Sequence, residues 1–294
     1  MTISSVKHTF TSAKADGPDA TLVQPGNWNA VHTLFEIPQP YVVGFNGENN
    51  AATPNTQFDL TSARAIVARD SSGNVYGKWN QGSLTCNLAT AGPAANARDT
   101  SGALGTTAFV HFYYIYNPTT DTWASTASAT APPTGPALPS GYTAWTYVCS
   151  VWNAVGPALR VVRVRGAWVT QDTKLAALSG GTAASFTAID LSTFVPANAL
   201  EVRLSHDAQI TSNASGSVVG TLKFGNVTGV VSHQWNISYG NGGTGNSVPN
   251  LYGEWQFTLP LTSQQIFYDW DVTAGTSQQT NVYAQAYKVP NGDS

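Results

Sequence analysis

The fold class this chain predicts is all-β: a short irregular N-terminal arm, then two antiparallel β-sandwich, jelly-roll-like domains. Three observations predict it. Charged residues make up only 10% of the 294 residues, against about a quarter in ordinary soluble domains, so long Lys/Glu/Arg-faced helices have little to be built from. Aromatics reach 11%, enough for a packed core, which a disordered chain of similar polarity would lack. Runs of alternating apolar and polar residues are separated by Gly-, Asn- and Pro-rich turn signals throughout.

Residues 1–38 form the expected arm. They are polar, are interrupted by Gly17, Pro18, Pro25 and Gly26, and end at Pro38 and Pro40, which discourage helix. The first domain is expected over 39–172, with strands at Tyr41–Asn46, Ala63–Arg69, Phe109–Asn117, Ala144–Trp152 and Leu159–Val169. In the third, Phe109, Tyr113 and Ile115 share one face, and Val110, Phe112, Tyr114 and Tyr116 the other. A strand apolar on both faces is either central and covered twice, or covered once and pressed against another subunit. Phe112, Tyr114 and Tyr116 are therefore candidate subunit contacts. Between this strand and the next, SATAPPTGPALPSGYT holds four prolines and two glycines, and is expected as a long ordered loop or a stiff extended connection.

The second domain, 173–294, alternates more cleanly. Leu200, Val202 and Leu204 oppose Glu201, Arg203 and Ser205, and Trp255, Phe257 and Leu259 oppose Glu254, Gln256 and Thr258. One dry and one wet face imply antiparallel sheets closed as a sandwich.

Chemistry is sparse. Asp269 and Asp271 share a strand face, about 7 Å apart at a rise of about 3.3 Å per residue. They are read as the solvated face of an edge strand or, alternatively, a catalytic or sugar-contacting pair. The five histidines form no HxH or HExxH pattern, and no GxSxG elbow or GxxxxGK[ST] loop occurs. No enzyme activity, metal or cofactor is expected. Arg163 and Arg165 fall on one strand face beside Arg160. They are either a solvated outer face or a contact to an acidic partner subunit or an anionic surface glycan, since guanidinium pairs bidentately with carboxylate. The loop around Tyr239 and Asn241 could rim a glycan-binding aromatic platform. Net charge is −3, which argues against nucleic acid as a partner, and no apolar run approaches the ~18 residues of a membrane span. The opening residues hold no apolar signal region, and Cys86 and Cys149 are expected as buried thiols in a reducing cytoplasm.

Two segments carry a resemblance. The first is VKHTFTSAKADGPDATLVQPGNWNAVHTLFEI. Its ordered positions are His8, Phe10, Lys14, Asp16, Gly17, Asp19, Val23, Pro25, Trp28, Asn29 and His32. The second runs from Ala97 to Trp152, and its positions are His111, Phe112, Tyr113, Asn117, Gly135, Pro136, Leu138, Pro139, Gly141, Tyr142, Thr143 and Trp145. Both resemble segments of tailed-bacteriophage minor virion proteins of the tail-fibre, head-fibre or decoration type. Gly26 departs from the Ser more usual there. The resemblance implies a virion protein, assembled in the bacterial host cytoplasm and displayed as a homotrimer. Its docking arm would contact capsid, neck or tail proteins through His8, Phe10, Asp16, Asp19, Pro25, Trp28, Asn29 and His32. The alternatives are a glycan- or receptor-binding tail protein using Tyr239, Asn241, Asp269 and Asp271, or an enzyme degrading surface polysaccharide.

Overall fold

The computed structural model describes residues 5–6, 32–33, 40–155, 158–211, 217–240, 251–274 and 276–293. Its described residues contain strands and turns and no helix, so the all-β expectation holds. Of the expected arm, only β1 (Ser5–Val6) and β2 (His32–Thr33) are described, paired antiparallel. His8, Phe10, Asp16, Asp19, Pro25, Trp28 and Asn29 lie outside the described residues.

Strands β3 (Tyr41–Val43), β4 (Asn46–Asn49), β5 (Gln57–Asp70), β6 (Val75–Gln81), β7 (Leu84–Asn87) and β8 (Ala97–Arg98) are followed by β9 (Ala108–Asn117), β10 (Thr122–Ser128), β11 (Ala144–Ala154), β12 (Ala158–Leu159) and β13 (Val162–Arg165). The expected strands at 41–46 and 159–169 are each divided, the first at Gly44 and the second around Gly166. β5 organises this half. At 14 residues it is about 46 Å long, so it pairs with β7 and β4 at one end and with β3, β6 and β11 at the other.

Where a sandwich is expected, the sheet instead closes on itself in the order β5, β7, β8, β10, β9, β11 and back to β5. Two of these junctions, β7–β8 and β8–β10, are parallel. Closure buries both faces of β9. Phe112 and Tyr114 are fully buried inside the barrel, Phe112 against Phe58 with ring centroids 4.6 Å apart. Tyr116 packs at 4.8 Å from both Tyr76 and Trp123. These three residues are core residues of their own chain, and the expectation that they touch another subunit is corrected. Cys86 and Cys149 are buried free thiols, and burial pushes the Cys86 thiol up to about 12.

The remaining strands are β14 (Trp168–Gly181), β15 (Thr187–Asp190), β16 (Glu201–Thr211), β17 (Ser217–Gly225), β18 (His233–Gly240), β19 (Leu251–Pro260), β20 (Gln265–Ala274) and β21 (Thr276–Lys288). One sheet, in the order β15-β20-β17-β18, packs over the β14-β21-β16-β19 end of the large sheet. Its core includes Val202, Leu204, Leu222, Phe224, Ile266 and Trp270; of the dry face read from the alternation, Val202, Leu204, Phe257 and Leu259 are buried, whereas Leu200 and Trp255 are 46% and 42% exposed. The expected boundary between residues 172 and 173 falls inside β14. Trp168, Val169 and Thr170 pair with Lys288, Tyr287 and Ala286 of β21 on one side and with β13 on the other. One continuous strand therefore serves both halves.

Candidate functional site

The outer face of β9 and β11 carries the most chemistry. β11 is in register with β9 except between Tyr147 and Cys149, where one extra residue bulges. In a regular strand residues three apart face opposite ways. The bulge restores phase, so Tyr147 and Ser150 share a face with His111, which lies directly across from Ser150. A buried chain results. The Tyr147 hydroxyl is 2.6 Å and His111 Nδ1 2.7 Å from Ser150 Oγ. Burial pulls the His111 imidazole down to about 4 and pushes the Tyr147 phenol up. The freed bulge carbonyl of Val148 accepts a hydrogen bond from Asn291 Nδ2 at 3.0 Å, and the Tyr287 hydroxyl donates to Ser150 O at 2.6 Å.

Above Tyr147 opens a cleft of about 660 Å³, lined by Pro40, Arg69, Asp70, Ser71, Pro132, Pro133, Thr134, Leu138, Thr143, Trp145, Tyr147, Asn198 and Pro290. One wall is the Pro-rich loop, ordered as expected. Gly135 has φ +78°, and a Cβ there would come within 2.4 Å of the Trp145 indole, so the loop backbone lies flat on that ring. Gly141, at φ +83°, sits on the Asn117 amide in the same way. Asn117 Oδ1 accepts from the Thr119 and Thr120 amides, and Trp145 meets Tyr113 edge-on at 5.4 Å. Asp70 lines the cleft but is committed to its own turn, accepting from the Ser72 and Asn74 amides, Asn74 Nδ2 and the Tyr76 hydroxyl. Asn198, from the β15–β16 connection, flanks the Tyr147 hydroxyl. Its amide nitrogen and oxygen are both buried.

The other expected sites lie elsewhere. β20 is an inner strand between β15 and β17, so Asp269 and Asp271 are not on an edge. Asp269 is buried, and Lys223 Nζ bridges it at 3.2 Å to Asp271, which it also contacts closely. Hydrogen bonding, first to Asp271, holds the Lys223 ammonium above its ordinary value. The Tyr239 backbone lies in β18, one residue before its end, while its side chain and Asn241 lie outside the described residues. Arg163 and Arg165 point outward from β13, Arg163 opposite Glu48, while Val162 and Val164 point in. Arg160 separates from them, packing over Trp152 at 5.5 Å and donating to Thr193 O at 2.9 Å. An aromatic seam joins the two sheets of the second half, with Trp235 4.8 Å from Trp255 and His233 stacked on Phe257 at 4.4 Å. The described residues hold no cluster of three or more His, Cys, Asp or Glu able to bind a metal, and no helix long and apolar enough to cross a membrane.

Sequence reasoning missed the relay and the cleft. Trp145 was singled out by its motif, but nothing in the sequence marks the bulge at Val148 or brings Asn198 beside it.

No protein-family model matches the chain, and no curated protein is similar to it in sequence. Among solved structures it has a faint likeness to the infectious bursal disease virus Gx strain, with 10% identity over 88% of this chain and 76% of that chain and a TM-score of 0.25. The VP2 subviral particle of infectious bursal disease virus gives 10% identity over 87% and 71%, with a TM-score of 0.23. A Bacillus thuringiensis Cry1Da tryptic core variant gives 9% over 86% and 52%, with a TM-score of 0.18. None of these bears on function.

Proposed function

We propose that the chain is a structural protein of a tailed-phage virion, made in the host cytoplasm and displayed on the particle as a homotrimer anchored through residues 1–38. One observation carries the reading. The segment that resembles phage virion proteins, from Ala97 to Trp152, is a single packed unit in which the resembling positions serve shape. His111 and Tyr113 are buried in the outer-face relay and stacking, and Phe112 in the barrel. Gly135, Gly141, Asn117 and Trp145 fix the Pro-rich loop against the barrel wall. A module whose motif is spent on packing suits a building block better than a catalyst, and buried free thiols suit a reducing compartment. Arg163 and Arg165 remain outward-facing and available to an acidic neighbour; Phe112, Tyr114 and Tyr116 do not.

The test is removal of residues 1–38 in the phage that encodes the chain. The expected product is a folded trimer, by native mass, that is missing from purified particles. Undiminished incorporation would refute the docking role of the arm. Absence of even the full-length chain from particles would refute the virion reading itself.

A further inference from the structure

β3 is the first strand after residues 1–38, and it is short. It has three residues, against about five or six in an average strand. Its register with β5 covers only Tyr41↔Val67, Val42↔Ile66 and Val43↔Ala65, and of its side chains only Val42 is buried. A strand with so few contacts, next to a chain end, frays unless something else ties it down. The residues after β21 do so. Val42 N donates to Asn291 O at 2.8 Å, on the edge of β3 away from β5, and Gly44 N donates to Asp293 Oδ2 at 2.7 Å. Between these two bonds Gly292 lies against Tyr41. Its φ is +86°, and a Cβ there would stand 2.3 Å from Tyr41 Cβ.

The same residues are held from their other side. Val289 N donates to Ala167 O at 2.9 Å. Asn291 is fully buried, its Nδ2 donating to Val148 O at 3.0 Å and Gly166 O at 3.1 Å, and its Oδ1 accepting from Asp293 N at 3.1 Å. Gly166 N donates in turn to Phe45 O at 2.8 Å. These partners belong to β11 and to the turn between β13 and β14, so residues 291–293 bridge β3 to the barrel wall. β3 cannot lift from β5 without breaking the bonds to Asn291 and Asp293, and the Asp293 carboxylate loses its hold on Gly44 when β3 leaves.

We propose that residues 291–293 are a clasp: they hold the root of the N-terminal arm on the barrel and open together with β3 as one local unit. For an arm anchored to a particle, the clasp carries the pull at residue 40 to β11 instead of leaving it on three residue pairs. That use rests on the proposed function; the clasp itself does not, and it is tested on the isolated full chain.

Amide hydrogen exchange followed by NMR is the test, on the native chain and on Asp293→Ala and Asn291→Ala. In the native chain the Val42, Gly44 and Asp293 amides should share one degree of protection, lower than that of Phe112 in the barrel wall. Asp293→Ala should speed exchange at Val42 and Gly44 by about tenfold or more, leave Phe112 unchanged and keep the melting profile. Asn291→Ala should speed the same two amides further; if it prevents folding, Asp293→Ala alone decides. Unchanged exchange at Val42 and Gly44 in Asp293→Ala would overturn the clasp. So would an equal acceleration at Phe112, because residues 291–293 would then support the whole barrel and not the root of the arm.

Discussion

His111 shows how much a single position can depend on its surroundings. In sequence it is one polar residue in an aromatic strand, with no metal-binding or catalytic partner at a recognisable spacing. In the fold it is buried opposite Ser150, bonded through Nδ1, and its imidazole is held down to about 4 by loss of solvent. An unfolded histidine titrates near 6.5. Between these two values the unfolded chain binds the extra proton, so stability rises with pH through this window and falls as pH drops from about 6.5 toward 4. The penalty should reach the order of 3 kcal/mol. Urea denaturation across that range should show the slope in the native protein, and His111→Asn should flatten it. A slope that survives the substitution would assign it to other groups. The sequence marked His111 as a member of a motif, but its protonation state depends on a bulge that no local pattern encodes.

At the scale of elements, the strands were legible where apolar and polar residues alternate or where aromatics crowd. β9, β11, β16 and β19 fall close to their expected places. What the pattern could not carry is pairing. Alternation gives each strand a face but not its neighbours, so β20 was read as an edge strand although β15 and β17 flank it. That difference changes the role of its acidic pair. Lys223, directly opposite Asp269 on β17, ties Asp269 and Asp271 together on the outer face of the sheet. Removing the ammonium leaves a buried carboxylate beside a second one. Lys223→Met should therefore cost about 2 kcal/mol. Adding Asp269→Asn should recover part of that loss, which a double-mutant cycle measures. Strictly additive losses would mean that the bridge contributes nothing.

For the molecule as a whole, the all-β class was legible from composition, whereas the closing of one barrel and its fusion to the sandwich were not. Domain boundaries are read from breaks in composition, and β14 has none, because one strand can satisfy two sets of neighbours along its length. The physical consequence is a joint core. Tyr287 and Asn291 reach from the end of β21 to the backbone of β11, and Val42 donates to Asn291 O at 2.8 Å. Residues 173–294 expressed alone should lack a cooperative thermal transition and well-dispersed amide resonances, since Trp168–Thr170 and the β11 contacts are gone. A sharp transition in that fragment would show instead that the halves are autonomous.

The reach of Asn291 into the bulge of β11 also has a meaning for synthesis. Loops that close over 143 residues, as the Asn291–Val148 contact does, form late, because their entropy is lost before their contacts are gained. A nascent chain that has emerged only as far as β20 has made all of the barrel strands. It still lacks the strand that covers Ser150 and the side chain that satisfies the Val148 carbonyl. Translation thus has to pass residue 291 before the outer wall of the barrel is sealed, which gives a chain stalled short of that point an unfinished surface that marks it as incomplete.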